Sequence, residues 1–123
     1  MALRDELLAL EKGFWTGNAE FYRDNLDEHC LTAFAEMAGV FDKDDIAKTV
    51  GESQRWQDVE LAPKGLVEPA DDFVVLTYEA SATRGDGQRY HALVSSGYVR
   101  RNGGWKMAFH QQTPLAEAPG RQH

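Results

Sequence analysis

Apolar residues recur at helical spacing at the start of the chain, where Leu3, Leu7, Leu10 and Phe14 mark one stripe and Leu8 and Trp15 widen it. The charged residues fall on the other side, which predicts an amphipathic first helix. In TGNAEFYRDNLDEH, Asn18 is placed to cap a short second helix, with Phe21, Tyr22 and Leu26 on one face and Glu20, Asp24 and Asp27 toward water. CLTAFAEM reads as a strand ended by Gly39. DKDDIAKTV reads as a third helix, capped by Asp42 and favoured by Asp44 and Asp45 near its positive end.

From residue 55 the period changes to two. Four runs follow, RWQDVELAPKGLV, DFVVLTYEASAT, QRYHALVSSGYVR and WKMAFHQQT, separated by EPAD, RGDG and NGG, and these predict an antiparallel meander. Pro63 and Gly65 suit a bend or bulge in the first of these strands and place it near an edge. Three helices covering one face of a long, twisted sheet give an α+β fold. One domain is expected over residues 1–115, with a frayed tail over 116–123.

The turns set an expected register. A two-residue Asp86-Gly87 loop pairs Tyr78 with Ser95, and a three-residue loop with Gly103 left-handed pairs Val99 with Trp105. Val74, Leu76, Tyr78 and Ala80 then share the helix-facing side with His91, Leu93, Ser95 and Val99, and with Trp105, Met107, Phe109 and Gln111. Most of this surface is expected to be core. Its polar end, Tyr78, His91, Ser95 and Gln111, suggests a pocket mouth or groups that satisfy one another. The expected pocket is lined by Trp15, Tyr22, Trp56, Leu93, Trp105, Met107 and Phe109, with Tyr78, Ser95 and Gln111 orienting a ligand. On the opposite face Val75, Val94, Tyr98 and Ala108, with His110 beside them, suggest a homodimer contact.

Charge narrows the partners. Thirteen basic against twenty acidic residues give a formal charge of −7, which disfavours nucleic acid and anionic membrane surfaces. No apolar run reaches the roughly 18 residues that span a bilayer, and MALRDELLAL is too acidic for a signal peptide. The single cysteine, Cys30, fits a reducing, cytoplasmic compartment and the role of a small buried hydrophobe.

YHALVSSGYVRRNGGWKMAFHQQTP carries a serine pair, an aromatic, a basic pair, a glycine turn and Trp105 ahead of His110-Gln111-Gln112-Thr113-Pro114. With the element order over residues 3–115, it resembles the nuclear transport factor 2-like superfamily, in its SnoaL-like and small single-domain branch. That resemblance implies a cystatin-like cone in which a strongly curved antiparallel sheet and three helices enclose a cavity, usually in homodimers. It implies less about activity, because relatives include isomerases, polyketide cyclases, dehydratases, hydrolases and non-enzymatic association modules.

Proton-transfer enzymes of this fold are expected to aim a carboxylate or histidine into the cavity. The expected inward face of the last three strands carries no carboxylate, which leaves His91 as candidate base. His29, His91 and His110 lack metal-ligand spacing, GDGQ is a hairpin and not a nucleotide loop, and no cofactor is expected. Three readings stand: a binder of a small, mostly apolar molecule; an isomerase, cyclase or hydrolase acting on a carbonyl-containing substrate through His91; and a dimeric association module with a filled interior.

Overall fold

A computed structural model describes residues 2–50, 56–102 and 104–115. The elements run α1 (Leu3–Thr16), α2 (Ala19–Asn25), β1 (Leu26–Ala33), β2 (Ala38–Asp42), α3 (Lys43–Val50), β3 (Gln57–Ala70), β4 (Phe73–Thr83), β5 (Arg89–Arg101) and β6 (Gly104–Pro114). The six strands form one sheet in the order β2-β1-β6-β5-β4-β3. Neighbours are antiparallel except β1 and β6, which run parallel, so the sheet is mixed. Among the described residues no helix is long and apolar enough to cross a membrane. The tail at 116–123 and the conformation expected of Gly103 lie outside the described residues.

The caps form as their side chains dictate. Asn18 accepts from the Phe21 N–H at 3.0 Å, and Asp42 accepts from the Asp45 N–H at 2.9 Å. Gly39 does not end a strand. Phe34 and Met37 exchange backbone hydrogen bonds, the chain reverses, and Gly39 falls inside β2, an extra strand paired with β1. β3 is an edge strand, and its pairing with β4 shifts between Pro63 and Gly65.

Loop length moves the expected register by one residue. Gly87 N–H donates to the Arg84 carbonyl and Arg84 N–H to the Gln88 carbonyl, each at 2.8 Å, while Gly87 alone in the loop takes a positive φ, of 90°. A type I′ turn would require positive φ at Asp86 as well. The loop therefore holds three residues, Gly85 to Gly87, and pairs Tyr78 with Val94 and Thr77 with Ser95. Ala92, Val94, Ser96 and Tyr98 face the helices, whereas His91, Leu93, Ser95 and Val99 face away.

The next loop is shorter than expected, since Arg101 already pairs with Gly104 and Arg100 with Trp105. This second slip cancels the first, so Trp105 and Met107 do point inward and are buried. A bulge then intervenes. Tyr98 pairs with Met107 but Gly97 pairs with Phe109, leaving Ala108 as the extra residue and inverting the rest of β6. His110 and Gln112 turn to the helix side, while Phe109 and Gln111 turn to the outer face. Gly97 makes room for this, because a Cβ there would lie 3.3 Å from the Phe109 side chain and 3.4 Å from the Phe73 ring.

The core lies between α1 and the inner face of β4, β5 and β6, with Leu7, Phe14 and Trp15 packed on Val74, Leu76, Tyr78, Val94, Tyr98 and Met107. One member breaks the expected pattern. Glu11, four residues after Leu7 and three before Phe14, lies within the apolar stripe and is fully buried. Its two carboxylate oxygens accept from the hydroxyls of Tyr78 and, at 2.5 Å, Tyr98, while the Trp15 indole N–H donates to the Tyr78 hydroxyl at 3.0 Å. Burial, and then the Glu11 charge beside them, push both phenols far above their ordinary acidity range.

Replacing Glu11 by Met strands two buried hydroxyls and should cost about 3 kcal/mol in urea denaturation, with about 2 kcal/mol for Tyr98→Phe. The double variant should lose at least about 1 kcal/mol less than the sum, since only the Tyr78 O–H, whose oxygen still accepts from Trp15, then lacks an acceptor. Additive losses would show that the three side chains are not coupled.

Candidate functional site

The helices do not fill the curve of the sheet at the β1–β6 side. A cavity of about 300 Å³ opens there between α2, α3, β1, β2 and β6. Its walls are largely apolar, with Phe14, Phe34, Phe41, Ile46, Val50 and Met107 contributing, and Asp45 and Thr49 stand exposed at its rim. Tyr22, whose hydroxyl donates to the Phe14 carbonyl, closes the α1–α2 end.

The polar side of the cavity comes from the inverted half of β6 and from β1. His110 Nδ1 lies 2.8 Å from Ser96 Oγ, and its Nε2 lies 3.0 Å from Gln112 Nε2. The Tyr90 hydroxyl donates to Gln112 Oε1 at 2.9 Å. These contacts fix a direction. With its carbonyl oxygen occupied by Tyr90, the Gln112 amide donates to His110 Nε2, so the imidazole carries its proton on Nδ1 and donates to Ser96. Desolvation lowers the His110 pKa below its ordinary value, against a smaller opposing effect of the Glu11 charge, and the ring is neutral. Its edge packs near Phe34, ring centres 6.0 Å apart.

Cys30 and Thr32 complete the wall from β1. Burial, and then the charges of Glu11 and Asp27, push the Cys30 thiol up to about 12, which leaves it unreactive. Thr32 pairs with His110 across the parallel β1–β6 ladder and is 7% exposed, and its hydroxyl has no hydrogen-bond partner among the described residues.

Of the residues expected in a pocket, the structure brings Tyr22 and Met107 to this cavity. Trp15 and Tyr78 belong to the Glu11 cluster, and Trp56 packs against Trp15 and Tyr90 at ring distances of 5.5 and 5.2 Å. Trp105 is buried beneath the Arg100 guanidinium, 4.3 Å from its ring. Leu93, Ser95, Phe109 and Gln111 sit on the outer face, where Ser95 bonds Thr77 at 2.9 Å and Gln111 donates to Thr113. His91 is also on that face, 3.6 Å from Glu79 and directed away from the cavity. Of the residues expected at a dimer contact, Val75 faces outward and Ala108 occupies the bulge. Val94 and Tyr98 are fully buried under the helices and His110 faces the cavity.

Glu11, Thr32, Ser96 and Gln112 escaped the sequence reading. Glu11 carried a signal in its place on the helical stripe; Ser96 and Gln112 depend on loop phase and on the bulge, and Thr32 on the parallel pairing of β1 with β6. Among the described residues no group of three or more metal-ligating side chains gathers.

No protein-family model matches the sequence, and no curated protein sequence matches it. Solved structures do. A nuclear transport factor 2-like protein of unknown function in nutrient uptake from Rhodospirillum rubrum superposes with a TM-score of 0.78 at 13% identity, over 94% of this chain and all of that one. A candidate ketosteroid isomerase from Parabacteroides distasonis gives 0.74 at 13% identity, over 93% and 89%. The association domain of the Caenorhabditis elegans calmodulin-dependent kinase II gives 0.69 at 11% identity, over 90% and 92%.

The depressed His110 pKa sets a pH dependence. An unfolded imidazole, with a pKa near 6.5, binds a proton more readily than the buried one, so stability should fall as pH drops below about 6.5 and level off below the folded value. Asp27, held low by its bond to Arg101, contributes only in the more acidic carboxylate range. His110→Gln should remove the first loss and keep the second in denaturation followed from pH 7.5 to 3. An unchanged profile would mean that the ring is not buried neutral.

Proposed function

We propose that this chain, which has the nuclear transport factor 2-like fold, binds a small, mostly apolar molecule in the cavity beside β1 and β6. The observation that carries this reading is the half-open space of about 300 Å³ whose apolar walls end in one polar side, Thr32, His110 and Gln112. Pockets of this size with few polar groups are the usual form of small-molecule sites. Both nitrogens of the His110 ring are engaged, by Ser96 and Gln112, and the neighbouring thiol is held protonated. This favours binding over proton transfer. The rival reading through His91 needs that imidazole at the cavity, and it lies across the sheet beside Glu79. A lone buried thiol fits a cytoplasmic setting.

We further propose that the protein works as a homodimer joined through the outer sheet face. Cross-strand neighbours there form one apolar row through all six strands: Val40, Leu31, Phe109, Gly97, Val75 and Val67. Val40, Leu31 and Val67 are 65%, 46% and 61% exposed, an arrangement a solitary sheet would not need. Five strand gaps of about 4.8 Å carry the row across roughly 24 Å, close to the width of a standard interface of about 800 Å² per partner. The kinase association domain among the structural neighbours is consistent with assembly through this fold.

Thermal-shift screening with small aromatic and alicyclic compounds should find ligands that raise the melting temperature. At one hundred times its dissociation constant a ligand adds about 2.7 kcal/mol, on the order of 10 °C for a domain this size. Ile46→Trp, which fills the cavity from α3, should abolish the shift; retention of the shift would place binding elsewhere. Leu31→Lys with Val67→Lys should turn a dimer into a monomer in sedimentation without loss of fold. A wild-type protein that sediments as a monomer would reject the dimer.

A further inference from the structure

Three aspartates stand at the start of α3, and the fold uses them differently. Asp42 caps the helix through the Asp45 N–H, and Asp44 lies 3.6 Å from Arg23. The Asp45 carboxylate has no hydrogen-bond or ion-pair partner among the described residues, and it is the one charged side chain lining the cavity. A helix N-terminus supplies roughly half a positive charge, so three carboxylates leave this end of α3 negative. The nearby cations do not offset it at the rim: Lys43 lies 3.8 Å from Glu28, Arg23 belongs to Asp44, and Lys48 stands outside the lining.

The rest of the mouth has the same sign. Thr49, one turn after Asp45 and also at the rim, gives its proton to the Ile46 carbonyl at 2.7 Å and turns lone pairs outward. Glu36, exposed in the turn between the lining residues Phe34 and Met37, lies close enough to the wall that its charge, after burial, raises the acidity range of Tyr90, the donor to Gln112. No lysine or arginine among the described residues lines the cavity, and the chain carries a formal charge of −7. An anion would meet repulsion at the mouth and no cation inside. Phe14, Tyr22, Phe34 and Phe41 put rings in the walls, surfaces that suit an apolar skeleton and also a cation. A cavity of about 150 Å³ takes one benzene ring, so about 300 Å³ accommodates a two-ring skeleton.

We infer that the ligand is an organic amine: an apolar body of up to two rings that enters first, carrying an ammonium group that stays at the mouth against the Asp45 carboxylate. This deepens the binding reading and rests on it. Asp45 acts as the residue that selects cation over neutral and anionic molecules of the same shape, and its partial hydration keeps the contribution modest.

Three probes of one skeleton test this, 1-aminotetralin, 1-tetralol and tetralin-1-carboxylate, titrated against the full chain by calorimetry at neutral pH. Wild type should bind the ammonium about threefold to fivefold more tightly than the alcohol and at least about tenfold more tightly than the carboxylate. Raising the salt from about 20 mM to about 500 mM should bring the ammonium toward the alcohol. Asp45→Asn should do the same at low salt and leave alcohol binding unchanged, while Ile46→Trp should remove binding of all three. Equal binding of ammonium and alcohol by wild type would overturn the inference and leave the binding reading intact, as would a preference that survives in Asp45→Asn or at high salt. Ammonium binding that persists in Ile46→Trp would overturn it by reducing the contact to a surface ion pair, and loss of alcohol binding in Asp45→Asn would do so by making Asp45 a structural part of the cavity. No binding of any probe in large excess would overturn the binding reading and the inference together.

Discussion

A carboxylate sealed from water must be hydrogen-bonded on both oxygens, and Glu11 meets that requirement with two tyrosines from adjacent strands. The requirement is geometric as well as energetic. Tyr78 on β4 and Tyr98 on β5 must both face α1, so the two strands are locked in the phase that puts Val74, Leu76, Val94 and Ser96 inward with them. A single-residue slip of β5 would carry the Tyr98 hydroxyl to the outer face and leave one Glu11 oxygen in the core without a donor. Trp15, bonded to Tyr78, sets the rotation of α1 about its axis.

The cavity follows from that phase. Ser96, inward because Tyr98 is inward, lies opposite His110, and the ring reaches it only because Ala108 bulges out of β6. Without the bulge Phe109 would point under the helices, fill the space beside Met107 and put the histidine on the surface. With it, the wide aromatic lies over Gly97 on the outside, and the imidazole and the Gln112 amide form the polar side of the pocket. The same inversion therefore shapes both faces: it opens a small-molecule site on one and adds Phe109 to the apolar row on the other.

Much of the architecture was legible from periodicity and capping. Asn18 and Asp42 cap the second and third helices as their positions suggest, and Pro63 with Gly65 marks the bulged edge strand. The site was not, and the reasons are local. RGDGQ accommodates a two-residue loop centred on Asp-Gly and a three-residue loop with Gly87 left-handed, and sequence does not distinguish them. Two opposite slips cancelled at Trp105 and Met107, so these side chains point inward as expected although the lengths of both loops differ from expectation. The bulge at Ala108 leaves no composition signal at all. Glu11 differs: its spacing from Leu7 and Phe14 put it on the buried stripe, and reading charge as solvent-facing concealed it.

The account stands on the inverted second half of β6, and nuclear Overhauser contacts of the two aromatic residues astride the inversion report it directly. The His110 ring protons should show contacts to Phe34 and to the Ser96 β-protons, with the Phe109 ring contacting Leu31 and Gly97. The reverse pattern, with Phe109 among Phe34 and Met107 and His110 free of the cavity residues, would contradict it.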